Sequence, residues 1–393
     1  MRSAPGGTTI KGHCASEPSE GLYPGFSASG QDVWLEAFDF DIPGIVLSAV
    51  GARCGKTFKA DGAWGVVANT HCLFPVDSSR DFLWYVTNQE TWWERGGSAQ
   101  PFIKVADTLS RKMAFPGCAE QQAIAAFLNN ETLKIDALVA EQQRLTQLLK
   151  EKRQAVISHA VTKGLNPHVP MKHSGNEWIG DLPRHWRAGP LKRYWGVMDC
   201  KHVTADFVEE GIPVASIREV QSWWVDLDHA KRTTEHFFEL LVDGGRRPLP
   251  GDLIFSRNAT VGEVAQVRAD HPRFAMGQDV VLLRKLESNF SSDYLQHVIR
   301  SVVITEQIAT MMIGSTFKRI NVEEIRSLHV PWPPASEQES ITRFLKSAVD
   351  RFEGLAAEAR RAIDLLQERR AALISAAVTG QIDVRGLASA EAA

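Results

Sequence analysis

The sequence predicts an α+β protein made of two related globular units. An antiparallel pair of long coiled-coil spacer helices separates them, and an approximate twofold relates them. Three observations carry this. A shift of 217 residues lays Glu120–Leu165 over Glu337–Ile382 without a gap, matching Ile124 with Ile341, Leu128 with Leu345, Arg153 with Arg370 and Ala160-Val161-Thr162 with Ala377-Val378-Thr379. Both segments are charged and carry apolar residues at heptad spacing. The stretches before them have short apolar runs broken by Gly and Pro, the mark of short strands. A period this long is two copies of a domain, not a solenoid.

Taken in order, the expected elements are a first globular region (1–118), a central helix region (119–165), a second globular region (166–335), a distal helix region (336–386) and a tail (387–393). The repeat extends upstream of the helices. Gly97-Ser98 meets Gly314-Ser315, Ile103 meets Ile320 and Pro116 meets Pro333; Glu20-Gly21-Leu22 resembles Glu210-Gly211-Ile212 after a change of register. Ser336 with Glu339 reads as a capping box. Asn129-Asn130 reads as a break between a short helix and a longer one, and Gly164 and Gly380 as C-cap glycines. The expected seam is Leu128, Ile135, Leu149 and Val156 with Leu138 and Leu145 beside them. In the second copy it is Leu345, Phe352, Leu366 and Leu373 with Leu355 and Ala362, interrupted at Gln142 and Ala359. A run of about 32 residues measures about 48 Å, a fit for two readers one duplex turn apart.

Composition narrows the function. The chain has 393 residues, 44% hydrophobic and 23% charged, enough for about two to three cored domains. Five scattered cysteines with no C-x-x-C pair argue against a disulfide framework or thiolate zinc site and for a reducing, cytoplasmic compartment. No membrane span and no metal-ligand spacing is present; His71-Cys72 stands without further ligands. A formal net charge of −3 gives no global basic footprint, so nucleic-acid binding would need a local positive face.

The segment Glu151–Leu165 followed by VPMKHSGNEWIGDLPRHW (Val169–Trp186), together with VPWPPASEQESITRFL and LLQERRAALISAAVTGQIDVRG, resembles the central and distal regions of specificity subunits of type I restriction–modification enzymes. The order of parts also matches that family. The resemblance implies two target-recognition domains, each reading one half of a bipartite double-stranded DNA site. It implies spacer helices that dock two methyltransferase subunits, onto which two motor-nuclease subunits assemble. The subunit itself would be non-catalytic and bind no cofactor; S-adenosylmethionine, ATP and Mg2+ would sit on the partners. The first domain departs from the pattern. It lacks a counterpart of Gly180–Trp195, and MRSAPGGTTIKG resembles the turn that follows such a stretch. The first domain therefore reads as N-terminally short, which leaves a coiled-coil adaptor with little DNA specificity as the alternative.

Two motifs invite a different reading. VGARCGKTF (Val50–Phe58) contains Gly-Lys-Thr, but Gly51 to Gly55 is one residue short of P-loop spacing. An enzyme acting through this loop is the third class considered. VPWPPA (Val330–Ala335) lacks the Asn or Asp that would hold a flipped adenine, and reads as a rigid lead into the second helix.

DNA-contact candidates are residues that can reach phosphate or present hydrogen-bonding groups to base edges. They are Arg53, Lys56, Lys59 and Lys104 in the first domain, and Arg246, Arg247, Arg257, Asn258, Thr260, Lys318 and Arg319 in the second. Salt-bridged or solvated turns are the plain alternative. The charged positions Glu141, Arg144, Glu151 and Arg153, matching Glu358, Arg361, Glu368 and Arg370, are expected outward on the helices. The pairs Trp92-Trp93 and Trp223-Trp224 suit core burial as well as base stacking.

Overall fold

The computed structural model describes residues 1–89, 91–111, 115–312 and 319–384. The chain divides into two compact units, Met1–Arg144 with Ala359–Ala393, and Leu145–Glu358.

The first unit opens with β1 (Arg2–Pro5), β2 (Tyr23–Ser27), β3 (Gly30–Leu35), β4 (Gly44–Ser48), β5 (Thr57–Ala60), β6 (Gly65–Val66) and β7 (Thr70–Phe74). Helix α1 (Arg80–Thr87), strands β8 (Arg95–Gly96) and β9 (Phe102–Ile103), and helices α2 (Val105–Leu109) and α3 (Cys118–Lys163) follow. The main sheet runs β1-β7-β4-β5 and a second sheet β3-β2-β6. Side chains alternate across β4. Ile45 and Leu47 join a core with Phe82 and Leu128, while Val46 joins Phe26 and Trp64 on the other face. Both faces are covered, which is why GIVLS is apolar without alternation.

The second unit repeats the plan with β10 (Met171–His173), β11 (Asp181–Pro183), β12 (Arg187–Pro190), β13 (Trp195–Asp199), β14 (Phe207–Val208), β15 (Ile212–Ala215) and β16 (Lys231–Thr233). Then come α4 (Glu235–Val242), β17 (Leu253–Ser256), β18 (Val264–Gln266), β19 (Ala275–Met276), β20 (Val280–Lys285), α5 (Ser292–Ile299), α6 (Val302–Met311), α7 (Val322–Ser327), β21 (His329–Trp332) and α8 (Ala335–Val378). Its main sheet runs β13-β20-β17-β18. Leu253 and Phe255 face one core, Ile254 and Leu282 another, as β4 does in the first unit.

Sheet order pairs β1 with β13 as the edge strand beside β7 and β20 respectively. Arg2–Pro5 is therefore a strand, paired with His71–Phe74, and not the turn expected there. RSAP carries no apolar alternation, and only its partner strand gives it a place.

Long helices α3 and α8 also depart from expectation at their ends. No break occurs at Asn129-Asn130, because Asn129 Oδ1 accepts a hydrogen bond from the Tyr85 hydroxyl at 2.9 Å and the helix runs on. Ser336 is no cap, since α8 already starts at Ala335 and the Glu337 and Gln338 amides donate to the Pro334 carbonyl. Gly164 and Gly380 follow the helix ends at φ +75 and +73, the left-handed conformation a C-cap glycine supplies.

Within each unit α3 and α8 lie side by side in antiparallel register. In the first unit Arg370 Nε is 3.0 Å from Asp136; in the second, Arg153 Nη2 is 3.4 Å from Glu353. Both pairs of residue numbers add to 506, and the 217-residue shift converts one pair into the other. Arg153 and Arg370, expected outward, are thus half-buried on the seam.

The seam itself has a different phase from the one expected. Leu128 and Ile135 are buried and Leu149 and Val156 half-buried, but their companions are Thr132, Val139, Thr146, Arg153 and Ala160. The same holds in α8 for Leu345, Phe352, Ala359, Leu366 and Leu373 with Val349, Ala356, Ile363, Arg370 and Ala377. Leu138 and Leu145, expected on the seam, are exposed, as is Leu355; Ala362 is half-buried. The companion column is mostly small or β-branched, and the leucine column lies on the flank.

A buried glutamine fixes each helix start. Gln121 Oε1 accepts from the Ser79 amide at 2.8 Å and its Nε2 donates to the Pro116 carbonyl at 2.9 Å. Gln338 repeats this with Ser291 at 3.0 Å and Pro333 at 2.9 Å. Ser79 and Ser291 are themselves the N-caps of α1 and α5.

Candidate nucleic-acid interface

The loop after β4 and the loop after β17 are counterparts, each tied to a segment just upstream of the long helix. In the first unit Val50 bridges Phe102, the Gly51 amide donates to the Pro101 carbonyl at 2.8 Å, and the Ile103 amide to Ala49 at 2.9 Å. In the second, Asn258 bridges Arg319 and the Ile320 amide donates to Arg257 at 3.0 Å. A residue in the left-handed conformation supports each loop from below. Asn69 (φ 68) accepts from the Ala49 amide at 2.9 Å, and Asp279 (φ 63) from the Arg257 amide at 3.0 Å. Asn and Asp adopt this conformation more readily than other residues with a Cβ.

The Gly-Lys-Thr loop thereby takes its place. It closes a hairpin between antiparallel β4 and β5, with Gly51 and Gly55 at φ +99 and +96. No helix follows it to receive a phosphate, so it is not a P-loop.

Each candidate residue can now be located. Arg53, Lys56 and Lys104 are exposed on the first unit's loop pair. Lys59 is not available there; its ammonium pairs with Asp81 at 3.0 Å and lies 4.6 Å from the Trp84 ring centre. In the second unit Arg319 is exposed, 3.7 Å from Asp279. Asn258 and Thr260 are half-buried. Asn258 Oδ1 accepts from the Ala259 amide at 2.9 Å, and Thr260 Oγ1 lies 3.1 Å from Ser256 Oγ. Arg257 is only 5% exposed, its Nη2 3.7 Å from Asp199 and its Nε unpartnered, so it braces the loop from within. Arg246 donates to the Asp199 and Asp243 carbonyls at 2.9 and 2.8 Å, again a bracing role, while Arg247 is exposed. Lys318 lies outside the described residues.

Sequence reasoning passed over Asp199 and Asp279, whose carboxylates hold the second loop's arginines. It also gave no sign of a groove of about 850 Å³ lined by Arg232, Arg268, Arg273 and Trp224. Two of those arginines clamp carboxylates, Arg268 with Asp270 (2.8 and 2.9 Å) and Arg273 with Glu235 (2.8 and 2.6 Å). Among the described residues no cluster of His, Cys, Asp and Glu is arranged to hold a metal ion, and no helix is long and apolar enough to cross a membrane.

The chain thus holds two α+β units, each with a bridged loop pair and each containing part of both members of an antiparallel helix pair. Comparison with known proteins finds similarity to one family. Residues 246–359 match the type I restriction modification DNA specificity domain. The chain is 21% identical over 354 residues to the Type I restriction enzyme EcoDI specificity subunit of Escherichia coli, covering 83% of this chain and 74% of that one. It is 21% identical over 290 residues to the MjaVIII specificity subunit of Methanocaldococcus jannaschii, covering 70% of this chain and 63% of that one, less than two thirds of its length. A chain from the solved structure of a type I R-M system shares the fold, with a TM-score of 0.67, 14% identity and 92% of both chains covered. Most of the second unit's C-terminal half thus matches the type I DNA specificity domain, and the chain is similar to type I specificity subunits along most of its length.

Proposed function

We propose that this chain is the DNA-recognition subunit of a type I restriction–modification complex and carries no catalytic centre of its own. Each unit's bridged loop pair contacts one half of a bipartite site, the first through Arg53, Lys56 and Lys104, the second through Asn258, Thr260, Arg247 and Arg319. Arg257 and Arg246 hold the second loop pair in shape. The observation that carries this reading is the recurrence of the same loop pair, with the same amide-to-carbonyl ties, in both units. Polar side chains on loops tied down by backbone hydrogen bonds suit base and phosphate contact.

The helices serve as the docking surface for the methyltransferase subunits. Leu138 and Leu365 are 51% and 65% exposed in the first unit, and Leu148 and Leu355 are 51% and 49% exposed in the second. They are repeat counterparts, Leu138 of Leu355 and Leu148 of Leu365, and in antiparallel register each pair falls on one face of its helix pair. Large apolar side chains held at matching positions mark a partner surface. The partners would bring S-adenosylmethionine, ATP and Mg2+, and the assembly would work in the cytoplasm on double-stranded DNA. Co-expression with the cell's own type I methyltransferase subunit, followed by mapping of genomic adenine methylation with and without this gene, tests the reading. A gene-dependent bipartite methylation motif is expected; an unchanged methylome overturns it.

A further inference from the structure

The internal repeat makes one local difference between the units easy to read. On α1, six residues after the N-cap Ser79, the Tyr85 hydroxyl donates to Asn129 Oδ1 at 2.9 Å and lies 3.1 Å from Thr132 Oγ1, which fills the space between α1 and α3. On α5, six residues after the N-cap Ser291, the counterpart is His297, and the counterparts of Asn129 and Thr132 are Lys346 and Val349. Beside His297 the second unit has a pocket of about 580 Å³.

The lining of this pocket keeps a few buried polar atoms without a partner, although Arg300 Nη2 already donates to the Ser222 and Val264 carbonyls at 2.7 and 2.8 Å. His297 is 5% exposed and its ring nitrogens have no hydrogen-bond partner among the described residues. Arg153 Nε, Arg300 Nε and Thr342 Oγ1 are buried and unpartnered. The Trp223 ring, 4.7 Å from the His297 ring, supplies an aromatic wall, and Ile157 and Val349 add apolar surface. Three carboxylates also line the space, but they leave its interior receptive to an acceptor. Glu353 is engaged by Arg153 at 3.4 Å, Asp350 is exposed, and burial pushes the Asp293 carboxyl up, toward its neutral form.

We propose that this cavity is a binding site for a small aromatic oxyanion, a planar ring bearing a carboxylate or similar group. The ring packs against Trp223 and His297, and the oxyanion accepts from the Arg153 and Arg300 guanidinium N–H groups. Pockets of this size with an apolar wall and a few convergent polar groups are typical of small-molecule sites. Unpaired buried donors are costly, and a ligand acceptor removes that cost. In the first unit the Tyr85 side chain stands at the position of His297, tied to Asn129 and Thr132. The site is separate from the DNA-contacting loops.

The test uses the full chain and indole-3-carboxylate as probe, followed by ligand-observed NMR and calorimetric titration. Saturable binding is expected, with indole-3-carboxamide at least tenfold weaker. The double variant His297→Tyr/Lys346→Asn installs the first unit's own filling and should weaken the carboxylate at least tenfold. Arg153→Gln, which keeps the volume, should weaken it while leaving the carboxamide unchanged, and so serves if the double variant fails to fold. No saturable binding at millimolar probe overturns the proposal, as does equal affinity for acid and amide, or binding that neither variant weakens.

Discussion

Arg370 of α8 sits 3.0 Å from Asp136 of α3, and the internal repeat reproduces this contact as Arg153 with Glu353. The pair marks register more than it supplies stability. Asp136 is more than half exposed, so solvent screens the attraction, and truncating it to alanine should cost less than about 1 kcal/mol in urea unfolding. Leu128→Ala, which empties a fully buried site in the same unit, should cost about 2–5 kcal/mol. Equal costs for the two would contradict this assignment of roles.

The leucine flank should separate docking from folding. Leu138→Glu with Leu365→Glu leaves the circular dichroism spectrum and melting temperature close to wild type, since both side chains already face water. The same variant should lose capture of the methyltransferase subunit in a pull-down. Retained capture would move the docking surface elsewhere.

Phosphate contact has its own signature. Arg53→Ala, Lys56→Ala and Arg319→Ala should each weaken binding across all DNA sequences and reduce the slope of log affinity against log salt by about 0.9. Arg257→Ala should instead lower unfolding stability, because it removes the buried brace between β17 and Asp199. An unchanged salt slope for all three exposed residues would exclude them as phosphate ligands.

The two buried glutamines should be sensitive to loss of polarity. Gln338→Leu strands the Ser291 amide and the Pro333 carbonyl, and each unsatisfied group costs about 1–3 kcal/mol. Gln121→Leu should show the same loss through Ser79 and Pro116. Urea titrations of both variants give the measurement.

His297 links stability to pH. Burial first, then the charges of Arg300 and Arg153, lower its folded-state pKa to about 4, against an ordinary value of 6.5. The unfolded chain therefore binds a proton between pH 6.5 and 4 that the folded chain refuses. The folded state is unpenalised above pH 6.5 and loses up to about 1.4 kcal/mol per pH unit below it, until about pH 4. Subtracting the stability–pH curve of His297→Gln from that of wild type isolates this contribution; parallel curves across that window would refute it.

The repeat and the long helices are legible in the sequence because heptads and matched motifs survive without gaps from Glu120 onward. Seam phase is not, since the column that packs contains Thr146, Arg153 and Arg370, while the more apolar Leu138 and Leu355 face outward. The pairing of the loop after β4 with the one after β17 can be read from Gly and Pro placement, whereas the burial of Arg257 cannot. A lone arginine in a turn looks exposed until Asp199, far off in sequence, arrives beside it. Tyr85 and His297 escape notice for a simpler reason: upstream of the helices the repeat shift changes, and only the shared N-cap serines restore the alignment.

Along α3 no side chain between Ile135 and Ile157 is fully buried. Ordinary helices loosen at their tips, where backbone amides lack partners, and hold firm at the waist. Here both ends are clamped into cores and the waist rests on threonine, glutamine and half-covered leucine. Deuterium should therefore enter α3 fastest near its midpoint, an inversion of the usual gradient, and a bound partner covering the leucine flank should slow it there first.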